Sequence, residues 1–120
     1  MKKNKSALVL SGGGALGLAH IGAIRALQEA NIPIDMIGGT SQGSLIAGLV
    51  AMNWTFQEMI DKCSGVITGP SYNLPLVALA SGKAWTNVLT KLFDKIQIED
   101  LWLNYFCVSA NLTRAKMKVH

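Results

Sequence analysis

A serine flanked by glycines is the residue of this chain best placed to do chemistry. Ser41 has Gly39 two positions before it and Gly43 two positions after it. A short apolar run precedes this Gly-x-Ser-x-Gly pattern and an apolar helical stretch follows it, which is the context of a nucleophile elbow. Such a turn is sharp, so its flanking residues must be small. The pattern predicts that Ser41 is the nucleophile of an acyl transfer. A serine with a purely structural role in a glycine-rich turn would match the same pattern.

An earlier glycine cluster contains Gly12, Gly13, Gly14 and Gly17, directly after another apolar run. Read as Gly-x-Gly-x-x-Gly, it is a dinucleotide or anion loop, which needs an acid at the far end of the next strand. The candidate by distance, Asp35, stands at the wrong end of that strand. Consecutive glycines also let backbone N–H groups converge on an oxyanion. A turn without a ligand is the third interpretation. We favour an oxyanion hole at Gly12, Gly13 and Gly14, with a non-catalytic nucleotide- or anion-binding module as the alternative.

The elements that must position these clusters alternate between strands and helices. Apolar runs and helical spacing predict strands at 7–10, 35–38 and 105–110, and helices at 18–31, 44–52, 55–64 and 83–93, with a helical turn at 98–102. The helix after the serine turn has almost no polar face and should be buried. Residues 65–74 are predicted to be a loop with a turn at Gly69-Pro70. Alternation of this kind predicts an α/β fold with a parallel sheet.

Charge and cysteine usage limit the partners. The net charge is +4, but six of the eleven basic residues lie at the two ends of the chain, at Lys2, Lys3, Lys5, Arg114, Lys116 and Lys118. Solvated termini explain this distribution better than contact with anionic lipid headgroups, and a nucleic-acid face is not expected. Cys63 and Cys107 lie far apart and near no histidine pair, which favours free thiols in a reducing compartment. We predict no metal and no cofactor.

The basic start of the chain imitates a targeting sequence. The apolar run at 7–10 ends after four residues in a serine and three glycines, whereas a secretory segment needs about 7 to 15 apolar residues. No stretch approaches the roughly 18 apolar residues of a membrane span. We therefore expect a cytoplasmic protein, or one peripheral on a membrane.

The two glycine motifs together resemble those of the patatin-like phospholipases, and residues 98–102 and 106–113 are similar to the branch containing neuropathy target esterase. The resemblance covers nearly the whole chain. It implies a parallel-sheet sandwich with helices on both faces, here truncated after about three core strands, so that residues 1–120 form one partial catalytic domain. It also implies a lipid acyl hydrolase with a Ser–Asp dyad, in which Ser41 is the nucleophile and Gly12 to Gly14 form the oxyanion loop. The substrate would be a lipid acyl ester at a membrane surface.

Two departures from the family pattern stand out. Leu16 occupies a position where the family often carries Arg or Lys, which alters local charge more than a hole built from backbone groups. The family's catalytic aspartate lies in an Asp-Gly motif, and no aspartate of this chain precedes a glycine. The resemblance thus predicts that the chain lacks its base and is inactive alone, since a serine without a base is a weak nucleophile.

Other residues are poor substitutes for that base. His20 stands beside the glycine loop, where a structural role is expected. His120 would complete a Ser–Asp–His order with Asp94 or Asp100, but a terminal residue is usually frayed. Finally, three predicted strands leave the strand at 105–110 without a neighbour. This exposed sheet edge predicts self-association or pairing with another chain.

Overall fold

The computed structural model describes residues 5–67 and 82–120. Within these ranges the strands are β1 (Ala7–Leu10), β2 (Met36–Gly39), β3 (Asn104–Asn111) and β4 (Lys116–Val119). The helices are α1 (Ala19–Glu29), α2 (Gln42–Ala51), α3 (Phe56–Ile67) and α4 (Gly82–Phe93), with 3-10 turns at Gly14–Leu18 and Ile98–Asp100. The predicted α/β class is confirmed, and so are the predicted strands and helices to within a few residues at each end.

Strand register brings the two glycine clusters to one edge of the sheet. β1, β2 and β3 run parallel and lie in sequence order, with Leu10, Gly39 and Cys107 level across them. The chain leaves β1 into the first glycine cluster and leaves β2 into the serine turn. We call this side of the sheet the carboxyl edge. Ligand sites of open parallel sheets form at this edge.

One face of the sheet is buried beneath helices. Ile37 of β2 is fully buried beneath α2, which contacts all three parallel strands. Burial of Ile46, Ala47 and Leu49 confirms that α2 is a core helix. α1 packs against both α2 and α3, and Ile21 on α1 is also fully buried. This apolar layer holds the turns at the carboxyl edge in place, because burial of such side chains is the main source of folding free energy.

The helix limits follow from local signals. α1 and α2 are each followed by an asparagine in the left-handed region, Asn31 with φ 53° and Asn53 with φ 64°. The predicted capping box opens α3: the Thr55 N–H donates to Glu58 Oε2 at 2.7 Å, and the Glu58 N–H donates to Thr55 Oγ1 at 3.3 Å. α3 runs to Ile67, so the predicted loop is wrong at residues 65–67. The rest of that loop, including Gly69-Pro70, lies outside the described residues.

The prediction that β3 has a free edge is wrong for its second half, from Cys107 to Asn111. β4 pairs with β3 in antiparallel register, with Val108 opposite Val119. The turn between them is closed by the Arg114 N–H, which donates to Asn111 Oδ1 at 3.0 Å, and Ala115 adopts a φ of 48°. Basic and apolar residues alternate over 114–119, which is the period of a half-buried strand, so the sequence carried a signal that a search for continuous apolar runs missed. β4 therefore removes the strand-edge argument for self-association through the second half of β3.

The other face of the sheet is exposed in the described part of the chain. Val9 is 64% exposed, and Met36, Met117 and Val119 are also accessible. Side chains alternate between the faces of a strand, so these residues point away from the helical layer that buries Leu10 and Ile37. Among the described residues, no helix combines the length and the apolarity needed to cross a membrane.

Candidate active site

Ser41 is held in a strained backbone conformation at the junction of β2 and α2. Its φ is 51° and its ψ is −130°, a region that non-glycine residues rarely adopt. The Ser41 carbonyl accepts the Ser44 N–H at 3.0 Å and the Leu45 N–H at 3.3 Å, so the strained residue is tied directly into the first turn of α2. Ser41 itself is exposed at the carboxyl edge. This is the strand-to-helix geometry that the Gly-x-Ser-x-Gly pattern predicts.

The two glycines around Ser41 are required by close backbone packing. A methyl group on Gly39 would overlap the carbonyl oxygen of Leu10 and lie 3.0 Å from the carbonyl carbon of Gly43. A methyl group on Gly43 would overlap the carbonyl oxygens of Leu10 and Ser11. The Thr40 N–H also donates to the Leu10 oxygen at 3.1 Å. The backbone at the end of β1 therefore packs directly against the serine turn, and neither glycine has room for a side chain.

The first glycine cluster lies directly beside the serine. A methyl group on Gly12 would lie 3.2 Å from Cβ of Ser41 and 3.9 Å from its Oγ. The N–H groups of Gly12, Gly13 and Gly14 donate to no other described residue. Gly14 adopts a φ of 55° as the chain enters the 3-10 turn. Unpaired N–H groups on a loop beside a strained serine have the chemistry of an oxyanion hole.

A contact that the sequence did not predict joins the two turns. A methyl group on Gly17 would overlap the side chain of Gln42, which is 4% exposed. Gln42 follows the serine directly, so its side chain covers the glycine loop while Ser41 stays exposed. No sequence signal identifies this partner, because the middle positions of the serine motif tolerate many residue types.

Tyr105 anchors the helix that carries the serine. Its hydroxyl donates to the Ser44 carbonyl oxygen at 3.0 Å, and burial together with the neighbouring Cys107 thiol raises its pKa. An apolar cavity of about 170 Å³ lies beside it, lined by Leu45 and Gly48 of α2, by Tyr105 and Cys107 of β3, and by residues between Phe93 and Leu101.

Cys63 and Cys107 are free thiols, and burial raises the pKa of Cys63.

No hydrogen bond joins the Ser41 hydroxyl to another described residue. His20 Nε2 instead donates to the Ser11 carbonyl oxygen at 2.9 Å, which agrees with the structural role expected for it. His120 Nε2 lies 2.6 Å from Ser109 Oγ, and the Asp100 carboxylate accepts the Gln97 N–H. The alternative base that the sequence offered, His120 with an aspartate, is therefore not assembled.

The nucleotide-binding alternative loses its acidic residue. Asp35 accepts the Ser6 N–H at 2.8 Å, where β1 and β2 begin. This position is at the opposite edge of the sheet from the first glycine cluster. A ribose held over that cluster could not reach the carboxylate, so the loop lacks the acidic partner that the nucleotide-binding interpretation needs from Asp35.

The sequence profile described as patatin-like phospholipase matches residues 8–119. The chain belongs to the patatin-like phospholipase family. It is 41% identical over 125 residues to the human patatin-like phospholipase domain-containing protein 6, and 40% identical over 121 residues to lysophospholipase NTE1 of Candida glabrata. The rat patatin-like phospholipase domain-containing protein 7 is 38% identical over 125 residues.

These matches cover most of this chain but little of the relatives. They include 98%, 94% and 98% of the chain, and 9%, 7% and 9% of the human, yeast and rat proteins, respectively. The predicted resemblance to the family and to its neuropathy-target-esterase branch is confirmed by these relatives.

Proposed function

We propose that Ser41 is the nucleophile of a lipid acyl hydrolase. The observation that carries the proposal is the strained Ser41 backbone directly beside Gly12. The Ser41 Oγ would attack the ester carbonyl carbon, and the N–H groups of Gly12, Gly13 and Gly14 would stabilise the negative charge that develops on the carbonyl oxygen. One such donor is worth about 2.7–4 kcal/mol in the transition state. Expulsion of the alcohol leaves an acyl-serine, which water hydrolyses.

The substrate class we propose is a lipid acyl ester. Membership of the patatin-like family and relatives named lysophospholipase support this choice. The apolar cavity beside Leu45 supports it independently, since Leu45 donates its N–H to Ser41 and the cavity walls suit a hydrocarbon chain. We place the reaction at a cytoplasmic membrane surface, where such esters are found.

Residues 1–120 make up one part of the catalytic domain in this proposal. They supply the nucleophile and the oxyanion loop, and the family's aspartate would take the serine proton. Loss of a nucleophile's proton acceptor lowers turnover by a factor on the order of 10⁶ in serine proteases. The 120-residue chain should therefore hydrolyse a short nitrophenyl ester no faster than its Ser41→Ala variant. Turnover that Ser41→Ala abolishes would contradict this and require another base.

A fluorophosphonate probe tests the nucleophile without requiring turnover. We expect prolonged incubation at raised pH to place the phosphonyl group on Ser41, because hydroxide replaces the absent base and the glycine loop accepts the phosphoryl oxygen. Peptide mapping by mass spectrometry locates the adduct. Ser44 is the matched control, since it lies one helical turn later and its hydroxyl donates to the Ser41 carbonyl at 2.7 Å.

The Ser41→Ala variant should give no adduct, whereas Ser44→Ala should be labelled like the unsubstituted chain. Equal modification of Ser44 and Ser41 would show that the serine turn confers no special reactivity. That result would overturn the proposal and favour a structural serine.

A further inference from the structure

Two exposed leucines flank the serine along the carboxyl edge. Leu16 is 82% exposed in the 3-10 turn after β1, and Leu112 is 91% exposed in the turn after β3. The order β1-β2-β3 puts Ser41, which follows β2, between them. A leucine so exposed has lost most of the free energy that burial could provide, about 1.5–3 kcal/mol for a full side chain. Both leucines are therefore available to an apolar partner.

The hairpin formed by β3 and β4 projects beyond this edge. Cys107 is level with Gly39, and β3 continues for four more residues to Asn111. At about 3.3 Å per residue, the turn at Leu112 stands roughly 13 Å past the end of β2. The hairpin tip thus extends in the direction in which the chain leaves β2 for Ser41.

The same hairpin is cationic. Arg114, Lys116 and Lys118 are all exposed, and residues 101–120 contain no acidic residue. None of the three forms an ion pair with another described residue. They belong to an ordered hairpin beside the candidate site and not to a frayed terminus. The opposite edge of the sheet differs in the charge beside its exposed apolar residue. Trp102 is 82% exposed there, but it follows the acidic residues Glu99 and Asp100.

We propose that Leu16, Leu112, Arg114, Lys116 and Lys118 form a docking edge for the surface of an anionic phospholipid bilayer. This inference rests on the proposed function and names the surface through which the site meets its substrate. The leucines would enter the acyl boundary, and the cations would lie among the headgroups. Ser41 would then face the bilayer, so that a lipid ester reaches it without crossing water.

Flotation with lipid vesicles tests the proposal. All variants carry Ser41→Ala, so binding is measured without chemistry and its failure is separate from a failure of fluorophosphonate labelling. The vesicles contain phosphatidylcholine with phosphatidylserine, or phosphatidylcholine alone. A basic residue near an anionic surface contributes about 1 kcal/mol, so Lys116→Ala should weaken the partition coefficient about fivefold. Lys5→Ala is the matched control, because Lys5 precedes β1 at the opposite edge.

The apolar contact has its own pair of variants. Leu112→Ser should weaken partition about tenfold, because burial of a leucine is worth about 1.5 kcal/mol or more. Trp102→Ser is the matched control at the opposite edge, and Val9→Ser tests the open sheet face. Vesicle binding by the chain that carries Ser41→Ala alone should also weaken as the salt concentration rises. This measurement needs no substitution in the docking edge.

Several outcomes would overturn the docking edge. Partition that is indifferent to phosphatidylserine and salt would do so, as would equal losses in Leu112→Ser and Trp102→Ser. A larger loss in Val9→Ser would place the bilayer on the sheet face instead. A chain that ignores vesicles but sediments as a dimer, and returns to a monomer in Leu112→Ser, would make this edge an interface between copies.

Discussion

The two glycine clusters leave adjacent strands, and their glycines are needed for different reasons. In the serine turn, a methyl group on Gly39 or Gly43 would collide with the backbone of the chain leaving β1. In the first cluster, a methyl group on Gly13 would meet nothing closer than 3.7 Å. The serine turn is sterically closed around one conformation. The first cluster stays open at Gly13, although Gly17 of the same cluster is packed against Gln42, and the value of Gly12, Gly13 and Gly14 lies in N–H groups that donate to no described residue.

This difference distinguishes glycines that the fold requires from glycines that the reaction requires. Where two backbones cross, glycine is needed so that the fold can form at all. Where a backbone must approach a ligand, glycine is needed for the site and much less for the fold. Substitution of Gly39 or Gly43 in the serine turn should therefore lower stability most. Substitution of Gly12 in the first cluster should mainly lower the reactivity of Ser41.

The largest effect should come from Gly43→Ala. Its methyl group would overlap the carbonyl oxygens of Leu10 and Ser11, and neither is a flexible side chain that could move aside. Overpacking against a rigid backbone should lower the free energy of unfolding by about 3 kcal/mol or more. Urea denaturation measures the change. The control is Gly13→Ala, expected within about 1 kcal/mol of the unsubstituted chain; similar losses in both variants would remove the distinction between the clusters.

Gly12→Ala should show the reverse pattern. The methyl group would lie 3.2 Å from Cβ of Ser41, so it would crowd the reacting hydroxyl while the turn remains intact. We expect the rate of fluorophosphonate labelling to fall about tenfold, equivalent to about 1.4 kcal/mol. Gly13→Ala is again the comparison, and unfolding in urea checks that Gly12→Ala stays folded. If labelling is unchanged, Gly12 does not lie over the reacting atom.

Relief of strain at the serine should be smaller still. The φ of 51° at Ser41 costs about 1–3 kcal/mol for a residue with a side chain, and glycine avoids most of this cost. Ser41→Gly should therefore raise the free energy of unfolding by about 1 kcal/mol, after the entropy of the unfolded glycine is subtracted. Ser44→Gly lies inside α2 and should lower it by a similar amount. Destabilisation by Ser41→Gly would mean that the turn is not strained.

The smallest effect concerns a capping box outside both clusters, and it serves as a reference. Hydrogen bonds from the backbone N–H and the hydroxyl of Thr55 lower the pKa of the Glu58 carboxyl below its ordinary value of 4.5. A carboxyl with a depressed folded pKa stabilises the fold above its unfolded pKa, and this contribution is lost as pH falls through the folded pKa. Glu58→Gln should therefore make stability less dependent on pH in that acid range.

Thermal unfolding over a series of acid buffers measures this dependence. Labelling of Ser41 at neutral pH should be the same in Glu58→Gln and in the unsubstituted chain, since the Glu58 carboxylate bonds to Thr55 at the start of α3. A Glu58→Gln chain with the original acid dependence would mean that the capping box does not contribute to it.

Much of the fold could be predicted because its signals are local. Short apolar runs between helical stretches identified β1, β2 and β3. The pair Thr55 and Glu58 identified the start of α3. The missed strand, β4, alternates two lysines with Met117 and Val119, a strand period that the search for apolar runs overlooked, and it pairs with β3 after a turn at Asn111.

The sequence alone determined that a serine would stand in a strand-turn-helix junction between two obligatory small residues, because that requirement depends only on neighbouring residues. Only the tertiary structure decided what surrounds it. Strand register placed Gly12 over Ser41 and Gln42 on Gly17, and hairpin pairing placed His120 on Ser109. Such contacts join residues far apart in the chain, and their distances are set by packing of the whole sheet and its helices.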